Sequence, residues 1–409
     1  MVSMNDRFHR SEEQFREQIE HVLTSAVQEE RITTRDEELL RLFIAELKAT
    51  ANISNSRAAK IIGLLVGARR FIGPFIEVDT ASLYLGIDRI NSHDKFKQNT
   101  KADIIRSLKR FLLWLHESEY ASKGLKIEKV KKVKSYTYQP SKKTSEDLLT
   151  EDEIRLMIEN ANNARDRAII AVLYEGGFRI GELGELQWKQ VQFNDWNVAI
   201  STDFKTGKPR HIPLVMARSY LQAYCNEYQG KVSPDKFVFL TRQGQPLQYQ
   251  GVVKMIRNTA RNAGIDRHIT AHLFRHSRIT HLIRQGFQES VIKRMMWGSV
   301  ETDMFKTYLH LCDNDVDNEI AQKYGVKHRG RPTKESKALE PVQCSKCYTI
   351  NGPTSRFCDQ CGAPLTAESI QSLDAATEIL SSLLVGPGGE DILREIISLK
   401  NKSKPVSGG

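Results

Sequence analysis

The chain has 409 residues, 40% of them hydrophobic and 27% charged, which is enough for two or three domains with cores of their own. Its start, Met-Val-Ser-Met-Asn-Asp-Arg, lacks the apolar stretch of a secretory signal, and no run nears the roughly 18 apolar residues of a membrane span. A cytoplasmic protein with no membrane partner is therefore expected. The formal charge of +10 favours a polyanionic partner.

Residues 1–32 are polar and read as a weakly tied helix or tail. Residues 33–135 read as a small helical bundle. Leu39, Leu40, Phe43, Ile44 and Leu47 recur at helical spacing, and so do Ala58, Ile61, Ile62, Leu65 and Ala68 up to Gly73-Pro74. A third helix is expected to open at Thr100, with Asp103 completing a capping box. Its apolar face is Ile104, Ile105, Leu108, Phe111, Leu112 and Leu115, with Lys101, Arg106, Lys109 and Arg110 off that face. A lysine-rich stretch from Lys126 to Lys134 leads into a basic linker over 136–148, either plainly solvated or laid against phosphates.

Thr150-Glu151-Asp152-Glu153 gives a capping box that opens a second, mostly helical domain over 149–328. Within it, 197–204 and Arg210 to Leu214 read as a β-hairpin closed by Lys205-Thr206-Gly207-Lys208. Phe237 to Leu240 reads as a further short strand, and Gly251 to Ala263 as a helix. A basic linker over 329–341 contains Arg329-Gly330-Arg331-Pro332, a short match to an AT-hook core that reads more simply as a linker. A cysteine module at 342–366 and a tail at 367–409 complete the chain. The fold class expected is mainly α with a small antiparallel sheet (α+β).

Three segments carry candidate chemistry. Glu175-Gly176-Gly177-Phe178-Arg179-Ile180-Gly181-Glu182-Leu183 sets an arginine straight after a Gly-Gly turn, at a helix start where backbone N–H groups also face an anion. Thr270-Ala271-His272-Leu273-Phe274-Arg275-His276 places His272 and Arg275 on one helix face. Trp297-Gly298-Ser299 is followed by Tyr308. A lone tyrosine in an amphipathic helix is more often a core residue, so it is the ordered set that matters. Cleaving a phosphodiester without metal needs cationic donors for its oxygens, an in-line nucleophile and an acid for the leaving oxygen. Arginine meets the first need with a planar fork that stays charged. No Walker-type Gly-x-x-x-x-Gly-Lys-Ser/Thr segment occurs, so no nucleotide cofactor is expected.

In this order the motifs resemble the catalytic domain of the tyrosine recombinase (phage integrase) family, over roughly residues 150–312. The resemblance implies a helical core-binding, DNA-binding domain at 33–135 ahead of an integrase-type catalytic domain. It implies that Arg179 and Arg275 hold the non-bridging oxygens and that His272 donates or assists proton transfer. Lys205 would protonate the leaving 5′ oxygen, with Lys208 the nearby competitor. Tyr308 would attack, leaving a 3′-phosphotyrosyl link, and Glu182 would orient its neighbours. The family's usual Leu-Gly-His or Leu-Gly-Trp is here Met295-Met296-Trp297-Gly298-Ser299, so the next position is Trp297 or Ser299. Trp297 is preferred because an indole N–H can donate to a phosphate oxygen. The implied partners are double-stranded DNA and further copies of the chain, as a DNA-bound tetramer. A catalytically weakened DNA-binding accessory protein and a type IB topoisomerase are the rival readings.

Cys344-Ser-Lys-Cys347 and Cys358-Asp-Gln-Cys361 have the spacing of a closed tetrahedral Zn²⁺ site. A stretch this short builds no core of its own and would need the metal to fold. An iron–sulfur cluster or a redox pair is the lesser alternative. The module resembles a zinc ribbon, and by resemblance its attachment to an integrase domain is an archaeal-type arrangement. Structural zinc, and no cofactor for catalysis, is expected.

Overall fold

The computed structural model describes residues 7–8, 10–135, 147–202, 209–305, 308 and 338–385. The chain divides into two compact units, Met1–Lys142 and Lys143–Gly409.

The first unit is helical: α1 (Glu12–Gln28), α2 (Thr34–Ala51), α3 (Asn55–Ile72), α4 (Thr80–Asn91), α5 (Gln98–Glu117) and the short α6 (Ile127–Lys131). Most residues of the apolar stripes of α2, α3 and α5 meet in one core, in which Phe111 packs edge-on against Phe43 and Phe75, while Ala68, Ile104 and Ile105 join Ile90 in a second cluster. The N-terminal segment departs from expectation. A capping box of Ser11 and Gln14 starts α1, which buries Ile19, Leu23 and Ala26 in the same core. With Phe15, Val22 and Val27 packed beside them, these residues tie down a helix whose outer face is polar. The expected capping box at Thr100 is also corrected. Helix α5 starts at Gln98 after Lys97 with no side-chain cap, and Asp103 instead pairs with Lys60 and Arg106.

One buried polar centre organises this unit. Asp36 completes the capping box of α2 with Thr33. Its carboxylate also accepts from Arg69 Nε at 2.7 Å and from the backbone N–H of Phe75 at 3.0 Å. A fully buried carboxylate is stable only when its lone pairs are filled in this way.

The second unit opens with α7 (Glu151–Glu159), capped by Thr150 and Glu153, then α8 (Ala164–Glu175) and the single turn α9 (Ile180–Gly184). An antiparallel sheet follows in the order β1 (Val191–Phe193), β2 (Val198–Thr202), β3 (Arg210–Leu214), with Thr202 opposite Arg210 and Val198 opposite Leu214. Next come α10 (Ala217–Asn226), α11 (Tyr249–Asn262), α12 (Ala271–Arg284) and α13 (Glu289–Trp297). Helix α8 is buried continuously from Ala168 to Glu175, as a helix packed on several sides must be. It contacts α7, α10 and α12. Strand β1 was not foreseen. The stretch 237–240 forms only isolated bridges, Gln187 to Phe237 and Leu240 to Pro246, because turn residues hem it in on both sides.

The cysteine module has two short strands, β4 (Val342–Gln343) and β5 (Ile350–Asn351), and leads to α14 (Ala367–Val385). It rests on α10: Tyr220 Oη and Thr354 Oγ1 are 2.6 Å apart, and a Cβ on Gly352 would lie 2.8 Å from both Ser219 Oγ and the Tyr220 ring. Among the described residues no helix is long and apolar enough to cross a membrane. The fold is thus mostly helical with a small antiparallel sheet, as expected from the sequence.

Candidate active site

The site forms where α8 ends and α12 and α13 pack beside it. Helix α8 stops at Gly176, and Gly177 takes a left-handed φ of +55° that glycine adopts without strain. This turn throws Arg179 to the N-cap of α9. There its backbone N–H and its Nη1 donate to the two oxygens of Glu182, each at 2.7 Å. Arg179 keeps nearly half of its side chain exposed (45%), whereas Glu182 is buried.

Arg275, on α12, is buried with 2% exposure. Its Nη1 donates to the carbonyl of Gly177 at 2.6 Å and its Nη2 to the carbonyl of Met296 at 2.5 Å. Those contacts leave part of its five-donor fork for another acceptor. Burial, followed by the charges of Arg179 and Arg210, lowers its pKa to about 10, so it stays charged at neutral pH. The guanidinium lies 5.5 Å from the centroid of the Trp297 ring.

Aromatic rings link the remaining candidates. The His272 ring meets His276 edge-on at 4.2 Å, and His276 lies 5.2 Å from the ring of Tyr308. Trp297 lies 6.1 Å from Tyr308. Tyr308 is 3% exposed and packs with Ile279, Leu282, Ile292, Met296 and Phe305. Burial raises its phenol pKa, while the charges of Arg275 and Arg179 pull it back down. The phenolate is thus made costly by its packing and cheaper by the two arginines. Trp297 ends α13, and Gly298 after it takes a left-handed C-cap at φ 71°, the conformation for which glycine is favoured. Ser299 accepts the backbone N–H of Glu301 at 3.3 Å.

Arg179, His272, Arg275, Trp297 and Tyr308 are therefore brought together. Lys205 and Lys208 lie outside the described residues. Three further groups were not singled out from the sequence. Arg210 on β3 donates to Glu182 Oε2 at 2.5 Å and to the carbonyls of Met295 and Met296. Its signal was available: alternation along β3 buries Arg210, Ile212 and Leu214 together, and an arginine in an inward column needs a buried partner. His276 touches Tyr308, as noted. Glu175 accepts the backbone N–H groups of Val215, Met216 and Ala217, fixing the start of α10 to the end of α8.

Two guanidinium groups, those of Arg179 and Arg210, thus share one buried carboxylate, and a third, that of Arg275, is seated on main-chain carbonyls close to them and to a buried tyrosine. That surplus of positive charge in a poorly solvated place is suited to an anion.

The four cysteines form a separate site. Their Sγ atoms all lie within 4.8 Å of one another, with Cys344 to Cys361 at 3.6 Å and Cys347 to Cys358 at 3.5 Å. Tetrahedral thiolates about 2.3 Å from a zinc ion stand roughly 3.8 Å apart, so these positions fit such a metal. The Lys346 backbone N–H and the Asn351 amide point at Cys344 and Cys358 sulfur, as donors to thiolates would.

Fold and site together define a helical domain that sets a cluster of arginines beside a buried tyrosine. Residues 147–315 match the model of the phage integrase family. Transposase A from transposon Tn554 of Staphylococcus aureus (strain Mu50) is 30% identical over 249 residues, covering 57% of this chain and 63% of the relative. Tyrosine recombinase XerD of Listeria innocua is 30% identical over 174 residues, covering 40% and 58%. The chain thus spans about three fifths of the length of these relatives. In fold it resembles the XerH site-specific recombinase, solved bound to a palindromic difH substrate in a post-cleavage complex. The TM-score is 0.52 at 15% identity, covering 76% of this chain and 97% of that one.

Proposed function

We propose that the chain is a site-specific DNA recombinase that cuts and rejoins duplex DNA through a 3′-phosphotyrosyl intermediate on Tyr308. The observation that carries this reading is the cluster of three arginines beside the buried Tyr308: Arg179 and Arg210 on the Glu182 carboxylate, and Arg275 on the carbonyls of Gly177 and Met296. A phosphodiester supplies the anion that such a cluster lacks, and the tyrosine supplies the nucleophile.

In this reading Arg179 and Arg275 hold the non-bridging oxygens, and their charge favours the transition state in which negative charge builds there. The Tyr308 oxygen attacks phosphorus. A tyrosyl–phosphate bond forms, the bond to the 5′ oxygen breaks, and the phenol proton passes to a base. His272 and its neighbour His276 are the groups on hand for that proton. The leaving 5′ oxygen takes a proton from Lys205. Trp297, rather than Ser299, donates its indole N–H, because its ring lies against both Arg275 and Tyr308 while the Ser299 hydroxyl accepts a local N–H. Exchanging one phosphodiester for another conserves bond energy, so no nucleotide is consumed.

The helical unit serves as the core-binding domain, with basic groups such as Arg57, Lys60, Arg106 and Arg110 for backbone contact. The catalytic domain extends over 149–328, flanked by basic linkers at 136–148 and 329–341. The chain acts in the cytoplasm as a DNA-bound tetramer. Zinc on Cys344, Cys347, Cys358 and Cys361 holds the module at 342–366 as a ribbon, the archaeal-type arrangement. When bound, the ion supplies folding energy to a stretch with little core.

The test is covalent trapping of the full-length chain on nicked duplexes tiled across the DNA that flanks its gene. The wild type is expected to form an adduct resistant to denaturation. Tyr308→Phe is expected to bind the same duplex and form none, and an adduct in that variant sinks the assignment.

A further inference from the structure

We propose that Arg210 is a positioning residue for strand cleavage, which balances the charge of Glu182 and so leaves the charge of Arg179 available to the scissile phosphate. The inference rests on the recombinase reading above.

Two arginines share the Glu182 carboxylate in unequal settings. Arg210 donates to Oε2 with a side chain 3% exposed, while Arg179 donates to Oε1 with a side chain 45% exposed. The inner arginine is anchored further. Its Nη1 donates to the carbonyls of Met295 and Met296 at 3.2 and 3.1 Å, and its guanidinium stands 5.6 Å from the Phe178 ring centroid. With those donors committed and almost no surface, Arg210 has no route to a duplex. Arg179 has one.

The chemistry follows from charge balance. A phosphate that recruits Arg179 must compete with Glu182 for its guanidinium. Were Arg179 the only cation on a buried carboxylate, its departure would leave that carboxylate unpaired away from water, a costly state. With Arg210 permanently in place, Glu182 remains paired when Arg179 turns outward. Arg210 also binds the Met296 carbonyl that Arg275 uses, so β3, α12 and α13 are held around one acceptor. A purely structural cross-link would explain that shared carbonyl. It would not explain a dependence on the charge of Glu182.

The experiment is a double-mutant cycle with the full-length chain, reading adduct formation on the nicked duplexes and DNA affinity by gel shift. Arg210→Gln is expected to slow adduct formation by about 10²- to 10³-fold with affinity nearly unchanged. Glu182→Gln should slow the otherwise wild-type chain. In the Arg210→Gln background the same change should instead speed the reaction, by about tenfold, because it frees Arg179. Losses that simply add overturn the inference. Arg210→Lys, which keeps the charge, covers the case in which Arg210→Gln does not fold. It should stay within about tenfold of wild type, and a loss as large as that of Arg275→Ala overturns the inference. A wild-type chain that forms no adduct on any duplex overturns the recombinase reading instead, and this one with it.

Discussion

The carbonyl of Gly177 accepts a 2.6 Å hydrogen bond from Nη1 of Arg275, joining the turn after α8 to α12 across 98 positions of sequence. The backbone at residue 177 is left-handed, and a Cβ there would come within 2.6 Å of Met296 Sδ and 3.0 Å of its Cε. Gly177→Ala is therefore expected to cost about 1–2 kcal/mol from the backbone conformation alone, with a further loss as Met296 shifts. Because Met296 also carries the second carbonyl bound by Arg275, adduct formation should fall more than stability does. Comparing the melting temperature with the trapping rate checks this, and a variant that melts lower but reacts normally would refute it.

In the helical unit the corresponding vulnerable residue is Asp36. Its removal strands Arg69 together with the backbone N–H groups of Thr33 and Phe75. Asp36→Ala should cost about 3 kcal/mol or more, and Asp36→Asn less, since the amide keeps one acceptor. Calorimetry of the full chain reads this as a fall of roughly 10 °C in the transition of that unit. An unchanged transition would mean the carboxylate contributes nothing net.

A third expectation concerns acid stability. The Nδ1 of His281 is 2.9 Å from the hydroxyl of Tyr174. Burial, then the charges of Arg278 and Arg284, lowers the His281 pKa to about 4. The unfolded imidazole, with a pKa near 6.5, binds a proton that the folded one refuses. Stability from this group is thus complete above about pH 6.5 and is lost as pH falls from there towards 4, by on the order of 3 kcal/mol. His281→Phe should flatten the decline of the melting temperature across that window. A decline as steep as that of the wild type would remove His281 as its source.

Metal analysis of the purified chain should find one zinc per molecule, and Cys344→Ala should lose it. Because the module packs on Ser219 and Tyr220 of α10, metal loss should expose Lys346 and Arg356 to trypsin while the helical unit stays protected. Mass spectrometry of the early fragments decides. Cleavage at those sites no faster without metal than with it would argue against a metal-held fold.

Much of the fold was legible because its elements announce themselves locally. Thr150 and Glu153 cap α7 as their spacing predicts, and the stripes of α2, α3 and α5 are buried as their periodicity predicts. The elements that were missed depend on partners distant in sequence. Helix α1 looks loose until α3 covers Ile19 and Leu23, and Asp103 looks like a cap until Lys60 claims it. At the site, Arg179, His272, Arg275 and Tyr308 could be read from motif order. Arg210 could not be read so directly, since its meaning lies in Glu182, 28 positions away. Its place in the inward column of β3 was the one local sign.

One property of the arginine cradle reaches beyond this chain's own residues. The groups that seat Arg275 are the carbonyls of Gly177 and Met296, and those of Met295 and Met296 help to seat Arg210. All of these acceptors are main-chain atoms. Residue 295 can therefore change identity without altering the cradle, provided the path of the chain is kept. A search for this architecture by side chains at matching positions would overlook its scaffold, whereas a search by backbone path would find it. Redesign has the same latitude: the surroundings of the arginines can be rewritten while the turn at Gly177 is left alone.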